Sequence, residues 1–247
     1  MSRLRPSVTL ASTDPSELDY LIPHNNVRWR DLRPQHLPGA QALPRHRHAQ
    51  PYAAIVLAGR YLECGDEGRF EATDGAVVVH GSHQAHLNVV APAGAHVINV
   101  PMSLSTPTGL FSCKALDSVM EALRGGDGHR AAELLLATIK PVDIAMSDWP
   151  DMLASAIRCD PTLIIGDWAC ERKLTPAQVS RGFRQVFGVS PKRFRAEAKA
   201  RAAFERLHRT SEKLAFVAVA AGFTDQPHMN KAVVRLTGKS PSAIRRD

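Results

Sequence analysis

Five histidines lie between positions 46 and 86: His46, His48, His80, His83 and His86. His46 and His48 are two apart, and strand side chains repeat every two residues, so both imidazoles share one face if this stretch is extended. His80, His83 and His86 cluster after the apolar run Val77-Val78-Val79. Neutral imidazoles converging from two strands are ligands for zinc, iron or nickel. Three such histidines can hold a metal, with water or Glu63 completing the shell. Tyr52, Glu63 and His80 are expected to line the same pocket. The alternative is that these side chains line a small-molecule cavity and hold no metal. A metal-dependent enzyme is a further possibility, but no second set of acid/base or nucleophilic groups accompanies the histidines.

The residues that must position this cluster read as short strands. Tyr52 to Leu57 is one, ending at Gly59; Tyr61-Leu62-Glu63 follows, then a turn at Gly65-Asp66-Glu67-Gly68. Ala76 to Val79 comes after Asp74-Gly75, and His96 to Val100 after Gly94. Turn-separated apolar runs of this kind predict an antiparallel sandwich or small barrel over residues 1–102. Before Leu37 the chain is polar and proline-punctuated, with one short strand expected near Val27–Arg30. From 103 to 160 the spacing turns helical and predicts connecting helices that could dock on the barrel, pair subunits or join the two domains. Leu116, Val119, Met120 and Leu123 mark a first helix, Ala131–Ile139 a second, and Met152, Leu153 and Ile157 a third after Pro150.

A different chemistry occupies residues 161–247. Laid over one another with an offset of fifty, 175–195 and 225–245 repeat a pattern: Gly188-Val189-Ser190-Pro191 falls on Gly238-Lys239-Ser240-Pro241, Arg181 on Lys231, and Arg195 on Arg245. Thr175-Pro176 is an N-cap followed by proline at the first helical position, and Gly188 closes that helix. A short apolar helix precedes each copy, at Trp168–Arg172 and Leu214–Ala221. Helix, tight turn and second helix is the helix-turn-helix plan, whose second helix can enter a DNA major groove. From Asp167 onward 17 Lys and Arg face 7 Asp and Glu, net +10. Of the whole-chain totals of 31 and 24, this leaves 14 and 17 before Asp167, net −3. A basic third beside a slightly acidic remainder predicts a polyanion partner for that third alone. Gln178 and Arg181 are expected to read base edges, with Gln185 on the same face. In the second copy the candidates are Gln226, His228, Asn230, Lys231 and Arg235. Arg184, Arg193, Arg195, Lys239 and Arg245 are expected at phosphates. About 18 helical residues between the copies, Lys192–Arg209, span roughly 27 Å. That is near the roughly 34 Å between successive major-groove faces, so one chain could read two half-sites.

Residues 167–246 resemble the DNA-binding region of the AraC/XylS family of bacterial transcription regulators. The resemblance rests on Leu174 to Phe194 and on Ala218 to Lys231, above all on Gly222-Phe223-Thr224-Asp225-Gln226 and the two Gly-x-Ser-Pro endings. Lys231 stands where the family usually has Arg, and Met229 at or near its usual aromatic. The N-terminal half resembles the cupin barrel: His46, His48 and Gly59 fit its first motif, with Tyr52 in place of the Glu, and Gly75 and His86 fit its second, so the resemblance implies His46, His48 and His86 as the metal set. The resemblance implies an α+β chain with a cupin-like sensing barrel, a helical connector and an all-α double helix-turn-helix. It also implies double-stranded DNA, a small-molecule or metal effector, RNA polymerase and a second subunit as partners.

No run of about 18 apolar residues exists, so no membrane span is expected. The start of the chain lacks the apolar core of a signal peptide. Cys64, Cys113, Cys159 and Cys170 are scattered, which suits free thiols in a reducing cytoplasm.

Overall fold

The computed structural model describes residues 32–145 and 148–246. The expected strand at Val27–Arg30 lies outside them. Strands β1 (Gln35–Leu37), β2 (Ala42–Arg47), β3 (Tyr52–Gly65), β4 (Gly68–Thr73), β5 (Ala76–His80) and β6 (Ala85–Pro101) come first. After them come β7 (Gly109–Cys113), helices α1 (Leu116–Arg124) and α2 (Gly128–Thr138), and β8 (Ile139–Pro141). All strands join one eight-stranded antiparallel sheet in the order β1-β6-β3-β5-β7-β8, with β2 also on β6 and β4 also on β3. No pairing among the described residues closes it, so the expected barrel is an open, bent sheet. The helical expectation for 103–160 also needs amending, because β7 pairs with β5 and β8 with β7.

Two long strands, β3 and β6, replace three expected short ones, while the expected strand at Ala76–Val79 stands alone as β5. Gly59 and Gly94, the expected strand boundaries, are instead bends within β3 and β6, with φ of 80° and 78°. The pairing of β3 with β6 runs through both, shifting register on either side of Ala58-Gly59. A Cβ built on Gly59 would lie 2.2 Å from the Gly94 carbonyl oxygen, so close approach as well as φ demands glycine here. Gly59→Ala is expected to destabilise the fold by at least about 2 kcal/mol. A thermal melt at the wild-type temperature would contradict this.

Alternation along β3 sorts its side chains between two cores. Ala53 and Ile55, with Val77, Val79, Ile98 and Val100, pack beneath α1 and α2 through Val119, Leu123, Ala131 and Leu135. Tyr52, Ala54 and Val56 face the sheet interior with Val78, Tyr61 and Phe70. Beyond the bend, Leu62, Cys64 and Leu87 turn outward against the C-terminal half. Glu63, lying between Leu62 and Cys64, turns inward.

Seven helices complete the chain: α3 (Trp149–Cys159), α4 (Ile165–Glu171), α5 (Pro176–Phe187), α6 (Pro191–Arg209), α7 (Leu214–Ala220), α8 (Gln226–Thr237) and α9 (Pro241–Ile244). The two copies fold alike. Thr175 and Asp225 cap α5 and α8, and Gly188 and Gly238 close them in the left-handed region at φ 73° and 74°. Ser190 and Ser240 open the next helix in each. The 19-residue α6, roughly 28 Å long, belongs to both units. Its first half buries Phe194 and Ala198 with Phe183, Phe187, Trp168 and Ile157 of α3. Its second half buries Ala203, Phe204 and Leu207 with Val217, Met229 and Val233.

Candidate nucleic-acid interface and candidate metal centre

Helices α5 and α8 each bury one face and show the other. Val179, Phe183 and Phe187 of α5 are buried, while Ala177, Gln178, Arg181, Arg184 and Gln185 are exposed. Met229, Val233 and Leu236 of α8 are buried, and His228, Lys231 and Arg235 are exposed. Gln226 and Asn230 are half-buried, and the Asn230 Oδ1 atom is enclosed without a hydrogen-bond partner. Gln178 is partly committed: its Oε1 accepts the Thr175 backbone N–H at 2.8 Å, closing a capping box at the start of α5. Arg181 is thus the less committed side chain of that pair.

Some expected phosphate contacts have internal work. Arg193 Nε donates to Glu197 at 2.9 Å, Arg195 Nη1 to the Leu163 carbonyl at 2.6 Å, and Arg245 to the Glu212 carbonyl. The first lies within α6, the second ties α6 to the loop before α4, and the third ties the end of α9 to the loop before α7, whereas Arg184 is an exposed cation one turn from Arg181 on α5.

In the sheet interior, β2 and β6 bring His46 opposite His86, and the β3–β5 pairing brings Tyr52 opposite His80. Ring centroids of His46 and His86 are 4.4 Å apart, of His46 and His48 5.1 Å, and of His48 and His86 5.6 Å. One nitrogen from each of these three lies within 4.8 Å of the others. Glu63, His80 and His86 form an overlapping second set. Tyr52 stacks on His80 at 4.6 Å and meets His48 edge-on at 4.8 Å. His83 does not join them: it sits in a turn at φ 59° and packs against Phe204 of α6, ring centroids 4.9 Å apart. The positive φ turns it out of the cluster toward the C-terminal half.

The donor chemistry fits a cation. A carbonyl only accepts, so the 2.8 Å contact from His46 Nδ1 to the Pro44 carbonyl puts the proton on Nδ1 and leaves Nε2 a lone pair. Burial pushes the His46 imidazole below its usual range, His80 down to about 3, and His86 well below. All three are neutral at pH 7, as metal ligands must be. His86 Nδ1 is buried with no hydrogen-bond partner. Burial likewise raises the Glu63 carboxyl to about 8. Its Oε2 accepts from Asn88 Nδ2 at 3.3 Å and lies 3.6 Å from His80 Nε2.

The opposite face of β2 carries a buried ion cluster. Arg45 Nη2 lies 2.8 Å from Asp66 Oδ1 and 3.0 Å from Glu197 Oε2, and Arg201 Nη1 lies 2.6 Å from Asp66 Oδ2. Arg47 joins Glu197 at 3.9 Å. The signal was present in the text, since Arg45 and Arg47 alternate with His46 and His48, but their partners are far away in sequence. Arg45, Arg193 and Arg47 hold the buried Glu197 carboxyl down at about 2, against an ordinary 4.5. Such a carboxylate stabilises the fold fully above about pH 4.5 and ceases to as pH falls toward 2. Unfolding free energy should therefore fall over that window, and Glu197→Gln should remove about one proton's worth of slope. An unchanged slope in the variant would count against the ion cluster.

The family model described as a helix-turn-helix domain matches residues 168–247. Among solved structures, the C-terminal domain of AraT, a response regulator from Geobacillus stearothermophilus, is similar at 22% identity and a TM-score of 0.38, over 39% of this chain and 83% of that one. ToxT from Vibrio cholerae is similar at 10% identity and 0.39, over 87% and 97%. The xylose-binding transcription activator xylR is similar at 12% and 0.38, over 60% and 45%. No curated protein matches the chain significantly. Among the described residues no helix is long and apolar enough to cross a membrane.

Proposed function

We propose that the helix-turn-helix domain at residues 168–247 is of the AraC/XylS type and that the chain is a sequence-specific transcription regulator whose sheet half senses an effector. The observation that carries this is the pair of similarly capped helices, α5 and α8, each with an exposed polar and cationic face, mounted on one continuous α6. Arg181, Arg184 and Gln185 on α5, with His228, Lys231 and Arg235 on α8, supply base and phosphate contacts. Gln178, Gln226 and Asn230 lie at the margins of those faces.

The effector is a divalent transition metal or a small ligand bound among His46, His48 and His86, with Tyr52, Glu63 and His80 around them. The metal is favoured by an orphaned buried nitrogen on His86 and by the fixed tautomer of His46. A bound ion would supply a fixed positive charge that ties β2 to β6. The protein acts on the chromosome and so works in the cytoplasm, as a regulator and not as an enzyme. A second subunit and RNA polymerase are partners consistent with this role, though neither is needed for DNA reading. Competition between fragments flanking its own gene and random DNA tests the proposal. Preference for one fragment, weakening with salt as phosphate-bound cations are displaced, is expected. Equal affinity for all fragments, with and without zinc, would overturn it.

A further inference from the structure

Strand β2 presents two unlike surfaces within four residues. His46 and the adjoining His48 face the sheet interior. Arg45 and Arg47 face the DNA-binding half, and each reaches the end of one reading helix. Arg45 Nη1 lies 3.5 Å from the carbonyl of Phe187, the last residue of α5. Arg47 Nη1 lies 3.5 Å from the carbonyl of Leu236, next to the last of α8. Helix C-termini leave carbonyls without partners and carry partial negative charge, so both are natural seats for a guanidinium. Glu197, on the α6 spine between the two units, engages both arginines.

We propose that a divalent transition metal at His46, His48 and His86 is coupled through β2 to operator DNA held by α5 and α8, with Arg45 and Arg47 as the coupling residues. This rests on both sites assigned above. One nitrogen from each of the three histidines lies within 4.8 Å of the others, and an ion would hold all three at its own bond lengths of about 2 Å. Taking up an ion therefore ties β2 to β6 through His46, His48 and His86. Arg47 lies between those first two histidines in the chain and Arg45 precedes them, so the ligated strand sets where both guanidiniums reach. The position of both reading helices then depends on the metal. By linkage, DNA must change metal affinity by the same factor.

Cobalt(II) serves as the probe on the full chain, its visible absorption reporting imidazole ligation and fluorescence anisotropy reporting operator affinity. In the wild type, cobalt is expected to change the operator Kd by at least about 5-fold. Arg47→Ala loses only a 3.9 Å ion pair and one carbonyl contact. It should keep the cobalt spectrum while that factor falls toward one. Arg45→Ala should abolish the factor if it folds; Arg47→Ala decides the matter if it does not. Cobalt bound with operator affinity unchanged would overturn the coupling and leave the metal site standing. An equal factor in wild type and Arg47→Ala would overturn the role of β2. No cobalt absorption at all would remove the metal site, and the coupling with it, while leaving DNA recognition intact.

Discussion

Asp66→Ala lowers the free energy of unfolding by about 3–5 kcal/mol, the usual cost of removing one partner from a buried ion cluster. Asp66 is 4% exposed and engages three donors: Arg45 at 2.8 Å, Arg201 at 2.6 Å and the Ala85 backbone N–H at 2.6 Å. Its loss strands Arg201, itself 8% exposed, at the seam between sheet and helices. Arg45 keeps Glu197, so the damage centres on Arg201 and on the turn between β3 and β4 that Asp66 anchors. Denaturant titration with an unchanged m-value and a lowered midpoint is the expected result. A loss below about 1 kcal/mol would mean that the seam is wetter and looser than these distances describe.

Arg181→Ala costs about 1–3 kcal/mol of operator affinity and relaxes base choice at one position. Arg181 is exposed on the reading face of α5, whereas Arg193 donates to the Glu197 carboxylate and Arg195 to the Leu163 carbonyl. Selection of binding sites by the variant should show degeneracy at a single base pair with the others kept. Uniform weakening on every sequence would reassign Arg181 to the phosphate backbone. The same substitution at Arg184 is expected to weaken all sequences alike.

The C-terminal half was legible because each of its signals is local. Thr175-Pro176 and Gly188 bound a helix through contacts a few residues long, and the second copy repeats them with the same left-handed glycine. The sheet was read less well for an equally physical reason. Glycine marks a turn or a bend with the same letter, so Gly59 and Gly94 read as strand ends where the chain in fact bends and continues. Strands β7 and β8 are short and take their structure from their neighbours, β7 from β5 and β8 from β7, which no local pattern reveals. In the metal candidate, the two-residue spacing of His46 and His48 and the position of His86 were readable, whereas the turn that carries His83 away was not. The arginine seam was hidden most completely, since Arg45 and Glu197 meet across 152 positions of sequence.

Chemical footprinting of the protein on its selected operator tests most directly whether one chain reads two faces of a duplex. Two clusters of protected major-groove contacts are expected per chain, about one helical turn apart, the first lost with Arg181→Ala and the second with Lys231→Ala. A single protected cluster, or one pattern erased whole by either substitution, would contradict the account.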